Sequence, residues 1–201
     1  MEQALTASDF AEYLSDDEIS KMAPLIDRLK TLEEQKTSQD NYLKFVKKIW
    51  PSFIEGKHHK IYADKLQKVA DGKIKRLIVN MPPRHTKSEF ASYLFPAWLM
   101  GKRPDLKIIQ ATHTAELAVG FGRKVKNLID SDDFRDIFPE IKLATDAKAS
   151  GRWSTNGGGE YYAVGVGGAL AGRGADLCII DDPVSEQDAL SPTSLDSIYE
   201  W

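Results

Sequence analysis

The first third of the chain has the apolar spacing of α-helices. Between residues 1 and 36 the apolar side chains recur every three or four positions, and Ser15 and Glu18 have the spacing of a capping box. This apolar series consists of Ile19, Met22, Leu25, Ile26, Leu29 and Leu32. Residues 39–50 and 57–70 predict two more helices. We interpret residues 1–36 as a packing or docking appendage.

From residue 76 onward, short apolar runs alternate with amphipathic stretches. Continuous apolar runs of this length are typical of strands that are buried on both faces. The predicted strands are Arg76–Asn80, Lys107–Thr112 and Leu177–Ile180. Helices are predicted from 88 to 100 and from 115 to 129, and the glycine-richer residues 146–170 predict a hairpin or irregular strands. This alternation predicts an α/β fold with a mostly parallel sheet.

The amino-acid composition limits the classes of protein to which this chain can belong. The 201 residues include 27 Lys and Arg against 30 Asp and Glu, a net charge of −3, so any contact with nucleic acid needs a local basic patch. Arg123, Lys124 and Lys126 form such a patch, which we interpret first as a solvated helix face. The single cysteine, Cys178, excludes a disulfide framework and predicts a buried thiol. With no apolar span or secretory leader, we expect a soluble intracellular chain.

The turn after the first predicted strand is a candidate phosphate site. Residues 80–88 read NMPPRHTKS, and a strand, turn and helix in this order present free backbone N–H groups to an anion. Lys87 would add a positive charge, and Ser88 a hydroxyl for Mg²⁺. The glycines of the general P-loop pattern are absent, since Met81 and Thr86 stand in their places. Taken alone, this segment is better explained as an ordinary turn that carries a surface lysine.

A second element strengthens that interpretation. The apolar strand from Cys178 to Ile180 is followed by Asp181 and Asp182. Carboxylates at a strand tip need a cation or a partner. In a P-loop NTPase the first would hold the Mg²⁺ shell and the second would polarise the attacking water. The alternative is an ordinary turn after a strand. The pairing with Lys87 favours the nucleotide site.

Three stretches, in family order, resemble the large terminase subunit of tailed bacteriophages. They are RLIVNMPPRHTKSEFASYLFPAWLMG, IIQATHTAELAVGFGRKVKNLI and GALAGRGADLCIIDDPVSEQDA. The resemblance covers residues 40–201. It implies a three-layer α/β/α P-loop NTPase fold of the ASCE type, with a mostly parallel sheet and an N-terminal helical extension. The implied boundaries are 1–50 for the extension and 51–201 for the ATPase domain.

The same resemblance implies roles for individual residues. Mg²⁺ would be held by Ser88 and Asp181, largely through water, and Asp182 would orient the attacking water, with Glu186 as the alternative carboxylate. Arg84 would act as a sensor or stabilise charge in cis. Arg173 would act as an arginine finger in a neighbouring subunit, with an ordinary surface arginine in a turn as the alternative. The ATP phosphates would be bound by Pro83, Arg84, His85, Thr86, Lys87 and Ser88. Weaker candidates for the finger are Arg123 and Arg152, while the pair His58 and His59 would contact adenine or cap a helix.

The implied function is an ATP-hydrolysing motor that moves double-stranded viral DNA into procapsids. Its expected partners are the DNA, the portal protein, the small terminase subunit and further copies of itself in a ring, in the host cytoplasm and at the portal vertex. A helicase-like P-loop translocase stays open as an alternative, as does a chain that only binds nucleotide or docks.

The last carboxylate of the candidate site lies close to the end of the sequence. The chain ends 19 residues after Asp182 and contains neither the coupling strand nor the nuclease domain of the family. We therefore expect nucleotide binding, poor hydrolysis by this chain alone and no nuclease activity.

Overall fold

The computed structural model describes residues 16–145 and 149–201, and the chain divides into two units at residue 37. Helix α1 (Asp16–Asp40) begins in the first unit. Its apolar side chains from Met22 to Leu32 are exposed. Ser15 of the expected capping box lies outside the described residues.

The second unit, residues 38–201, contains the other helices. They are α2 (Tyr42–Ile49), α3 (Lys57–Ala70), a π-helical turn (Glu89–Leu94), α4 (Phe95–Lys102), α5 (Ala115–Ile129), α6 (Asp132–Ile137), a 3₁₀ turn (Asp188–Leu190) and α7 (Pro192–Glu200). Four side chains accept hydrogen bonds at helix N-termini, as the sequence of each start favours. These caps are Asn41 on α2, Thr114 on α5, Ser131 on α6 and Ser191 on α7.

A four-stranded sheet is the centre of the second unit. Its strands are β1 (Lys107–Thr112), β2 (Arg152–Ser154), β3 (Glu160–Gly165) and β4 (Leu177–Ile180), in the order β2-β3-β1-β4. Strand β1 pairs in parallel with β3 and β4, whereas β2 and β3 form an antiparallel hairpin. The mixed α/β fold with a mostly parallel sheet is thus confirmed. Because β1, β3 and β4 are parallel, their carboxyl ends lie at one edge of the sheet.

The main core is rich in aromatic side chains. Tyr42 is fully buried, its ring contacts Phe90, Phe95 and Trp98, and its hydroxyl donates to the Phe90 carbonyl at 2.6 Å. This carbonyl also accepts the Phe95 N–H that closes the π-helical turn. Pro96 lacks the N–H that an α-helix would use here, so the sequence favours a local change of register.

A smaller cluster covers the opposite face of the sheet. It consists of Ile109, Ala111 and Val164, with Tyr162 and Leu170 packed against them. The parallel strands therefore bury side chains on both faces, as continuous apolar runs predict.

Two predictions about strands were wrong. Residues 76–80 form no strand, because no described strand pairs with them, and Ile78 is 88% exposed. Cys178 is exposed instead of buried, since β4 is an edge strand that only β1 flanks. Both runs have the composition of buried strands, but burial depends on neighbours that a local pattern does not specify.

Over 16–145 and 149–201, no helix is long and apolar enough to cross a bilayer.

Candidate functional site

The predicted loop and the predicted carboxylates meet in space. Helix begins at Lys87, and the carboxylates follow β4 at the edge where the parallel strands end. The Nζ atom of Lys87 lies 3.1 Å from Oδ1 of Asp181 and also hydrogen-bonds to Oδ1 of Asp182. Residues 95 positions apart in sequence therefore form one charged cluster.

The three charged groups differ in their exposure to solvent. The side chains of Lys87 and Asp181 are 22% and 8% exposed, whereas that of Asp182 is 66% exposed. Partial burial alone would lower the pKa of Lys87, but its hydrogen bonds to the two carboxylates more than offset this and raise the pKa. The ammonium group therefore stays charged at neutral pH.

Asp181 has a second, buried partner. The Ser92 hydroxyl donates to Oδ2 of Asp181 at 2.8 Å, and Ser92 is fully buried in the π-helical turn. Gln110 in β1 donates through Nε2 to the Ser92 Oγ at 3.4 Å. Both carboxylate oxygens of Asp181 are thus bonded, which is what a buried charge requires.

Asp182 is held through its backbone. Its carbonyl accepts hydrogen bonds from the backbone N–H and from Nδ1 of His113, both at 3.2 Å. Its φ is +45°, a conformation that residues other than glycine rarely adopt. The contact with the residue that follows β1 holds this turn, while the Asp182 side chain projects toward solvent.

Unusual backbone conformations concentrate at the site. Among the described residues other than glycine, positive φ occurs at Arg84 and Thr86, both +64°, and at Asp182. A left-handed conformation costs a residue with a Cβ about 1–2 kcal/mol. Such strain persists where surrounding contacts support it, and it is concentrated at functional sites.

Helix α3 contacts the loop through two side chains one turn apart. His59 Nε2 lies 2.9 Å from the Thr86 Oγ1, and the Tyr62 hydroxyl donates to the Lys87 carbonyl at 3.2 Å. Burial first, and the charge of Asp181 second, raise the pKa of Tyr62, so this hydroxyl stays protonated. Burial also lowers the pKa of His59, with a smaller contribution from His58.

The other predicted loop residues face solvent more openly. Pro83, Arg84 and His85 are exposed, and Ser88 is half-buried at the start of the helix. His85 donates through Nδ1 to the Pro83 carbonyl at 2.9 Å. Within the described part of the chain, no hydrogen bond or ion pair holds the Arg84 side chain, so it is available to an external anion.

Arg173 does not join the Lys87 cluster. Its guanidinium stacks on the Tyr162 ring, 3.9 Å from the ring centroid, and its backbone N–H donates to the Leu170 carbonyl. The preceding Gly172 has a φ of +77°. Glu186 is exposed in the loop before the 3₁₀ turn. The assignments of Arg173 as an arginine finger and of Glu186 as the alternative catalytic carboxylate stay predictions.

Sequence reasoning missed Ser92, His113 and Tyr62. Ser92 is a polar residue in an otherwise apolar helix, which was an available signal of a buried hydrogen bond. His113 follows β1, and the carboxyl ends of parallel strands share an edge, so its proximity to Asp182 was also predictable. Tyr62 offered no comparable local signal, because its contact with the loop depends on how α3 packs.

The donors at this edge suit a hard cation together with phosphate. Mg²⁺ is usually held by one or two carboxylates plus substrate phosphates and waters. Ser88, Asp181 and Asp182 supply a hydroxyl and two carboxylates. Nowhere in the described ranges do three His, Cys, Asp or Glu side chains form a complete metal-binding group. Ser88, Asp181 and Asp182 are the residues that could hold such a cation.

Comparison with known proteins assigns no family. The chain matches neither a protein-family model nor a curated protein.

Proposed function

We propose that this chain is the ATP-hydrolysing motor portion of a viral DNA-packaging terminase. The observation that carries the proposal is the contact of Lys87, at a helix start, with Asp181 and Asp182 at the carboxyl end of β4. A lysine beside free helical N–H groups attracts phosphate, and paired carboxylates at the same point attract Mg²⁺. A P-loop NTPase site needs this combination, and the fold class proposed is accordingly the α/β/α P-loop NTPase.

The proposed chemistry is in-line attack of water on the γ-phosphate of ATP. Lys87 stabilises the charge of the β- and γ-phosphates, and Asp182, with its exposed carboxylate, orients the water. Ser88 and Asp181 would hold Mg²⁺, which supplies charge neutralisation at the phosphates when bound. The products are ADP and inorganic phosphate.

Two arginines have proposed roles in charge stabilisation. Arg84 is exposed in the loop, where it can reach a bound phosphate from the same chain. Arg173, on a glycine-flanked loop, would act on the site of a neighbouring subunit in a ring. An arginine finger contributes on the order of 10³–10⁵ in rate. The motor would work with the portal protein and the small terminase subunit on double-stranded DNA.

The direct test is calorimetric titration with Mg²⁺-ATP. Lys87→Ala is expected to weaken binding by at least about 30-fold, or about 2 kcal/mol, because it removes a partly buried cation from the phosphate site. Lys124→Ala is the matched control, since this lysine is paired on the surface with Glu89 at 2.9 Å. It is expected to bind within about twofold of the unaltered chain.

Equal binding by both variants would overturn the nucleotide site, provided that circular dichroism shows both to be folded. The packaging role has its own test, which is binding of the ATP-loaded chain to procapsids that carry a portal, because poor hydrolysis is expected of this chain alone. Nucleotide binding without binding to the portal would leave a P-loop protein of another function.

A further inference from the structure

Thr86 occupies a conformation that its side chain disfavours. Its φ is +64°, and it stands where the P-loop pattern has a glycine. Glycine adopts positive φ without steric cost, whereas a β-branched residue at positive φ is an outlier. The turn therefore needs support from outside the loop.

The contacts of the Thr86 hydroxyl supply that support. The Gly56 N–H donates to Nδ1 of His59 at 2.8 Å, so the ring proton lies on Nε2. Nε2–H then donates to the Thr86 Oγ1 at 2.9 Å, and the hydroxyl proton donates to the His85 carbonyl at 2.6 Å. Each donor in this series of three hydrogen bonds has one acceptor. Together the bonds hold both the side chain of Thr86 and the backbone of the turn.

The His59 ring is itself held firmly in place. It is 6% exposed and stacks on Phe90, with 5.3 Å between ring centroids and 23° between planes. Phe53 contacts it edge-on at 4.7 Å. The Phe90 N–H donates to the Thr86 carbonyl at 3.0 Å, so the residue that supports the ring also bonds to the end of the loop.

We propose that His59 is a positioning residue that holds, through Thr86, the left-handed turn which a glycine would adopt by itself. The consequence for nucleotide affinity rests on the proposed function. The loop presents its N–H groups to phosphate only while this turn is formed, so binding depends on a ring that does not touch the nucleotide. The bond from the Gly56 N–H to His59 is a helix cap, as one of the two expected roles of this pair. The proposed role adds a dependence on Thr86 that neither a cap nor a contact with adenine would have.

A double-mutant cycle separates these roles. His59→Leu keeps an apolar side chain against Phe90 but loses both hydrogen bonds, and is expected to weaken Mg²⁺-ATP binding about tenfold, or about 1.4 kcal/mol. In the Thr86→Gly background the same change is expected to cost less than about twofold, because glycine holds the turn unaided. His59→Gln keeps an N–H donor and is expected to retain most of the affinity.

A second pair of variants keeps the test independent of the core. Thr86→Val removes the hydroxyl and is expected to lose affinity for Mg²⁺-ATP as His59→Leu does. Thr86→Ser keeps the hydroxyl and is the conservative comparison. A tenfold loss from His59→Leu in both backgrounds would overturn the inference while leaving the proposed function intact.

Thermal unfolding measures the same double-mutant cycle of His59 and Thr86 without nucleotide. The fall in Tm caused by His59→Leu is expected to be smaller in the Thr86→Gly background than in the unaltered chain, and equal falls would overturn the positioning role. Failure of the unaltered chain to bind Mg²⁺-ATP would instead overturn the proposed function and, with it, the role of His59 in affinity.

Discussion

Ser92 offers the sharpest test of how Asp181 is held. The hydroxyl is fully buried and donates to a carboxylate that is itself 7% exposed, so Ser92→Ala leaves one oxygen of a buried charge without its donor. A hydrogen bond to a charged group contributes about 1.5–3 kcal/mol. The change to alanine recovers about 0.5 kcal/mol of helix propensity. The expected loss in the free energy of unfolding is therefore about 1–2.5 kcal/mol.

Ser88 provides the matched control, because it lies four residues earlier on the same helix. Ser88→Ala gains the same propensity, but in the described structure its hydroxyl makes no hydrogen bond that would be lost. Its free energy of unfolding is expected to stay within about 0.5 kcal/mol of the unaltered value. The two substitutions have identical chemistry, so their difference reports the two buried hydrogen bonds of the Ser92 hydroxyl, to Asp181 and from Gln110.

The assay is unfolding in urea and on heating, followed by circular dichroism. For 150–250 residues each kcal/mol shifts Tm by about 2–4 °C, so Ser92→Ala is expected to lower Tm by about 2–10 °C. If both variants unfold at the same temperature and urea concentration, the Ser92 bond contributes nothing, and the Asp181 charge is compensated by Lys87 alone.

Three further predictions concern stability and access. Burial lowers the pKa of His59, so unfolding takes up a proton below about pH 6.5. The free energy of unfolding should therefore fall as the pH decreases from 7. The fall should be smaller in His59→Gln, which lacks the titrating ring. Cys178 is exposed, so a thiol reagent should label the native chain without denaturant; labelling only after unfolding would contradict the edge position of β4. In helix α5, Gly120→Ala should stabilise by about 1 kcal/mol, since its Cβ meets nothing within 4 Å. Gly122→Ala should destabilise, because its Cβ would lie 2.5 Å from the Ser150 carbonyl oxygen; a matching rise in Tm for both would refute that contact.

Much of the fold was predictable because its signals are local. Strands Lys107–Thr112 and Leu177–Ile180 and helix Ala115–Ile129 occur with the predicted bounds. Their apolar periods and flanking polar residues lie within a single window of sequence. The approach of Lys87 to Asp181 was predictable from the motif pairing alone, because residues 76–80, which precede the Lys87 turn, form no strand of the sheet.

Other features depend on partners distant in sequence. Residues 76–80 have the composition of a buried strand, yet whether they pair depends on a neighbour at hydrogen-bonding distance. In the π-helical turn, the Phe90 carbonyl accepts from the hydroxyl of Tyr42, which lies 48 residues away in sequence. The support of Thr86 by His59 was hidden for the same reason: the glycine pattern marked Thr86 as a departure, but not what compensates for it.

The two carboxylates of the site are held in opposite ways, and this difference has a consequence for nucleotide binding. Asp181 is buried and bonded to Ser92 and Lys87, so moving it would leave buried donors without an acceptor. The Asp182 side chain is 66% exposed and is bonded to Lys87, while its backbone is held by His113. In the proposed function a phosphate must take a place beside Lys87. Asp182 is the group that can leave its position beside Lys87, because its carboxylate can rotate into water at little cost while its backbone stays fixed. The exchange would free Asp182 to orient a water molecule at the moment when Lys87 engages phosphate.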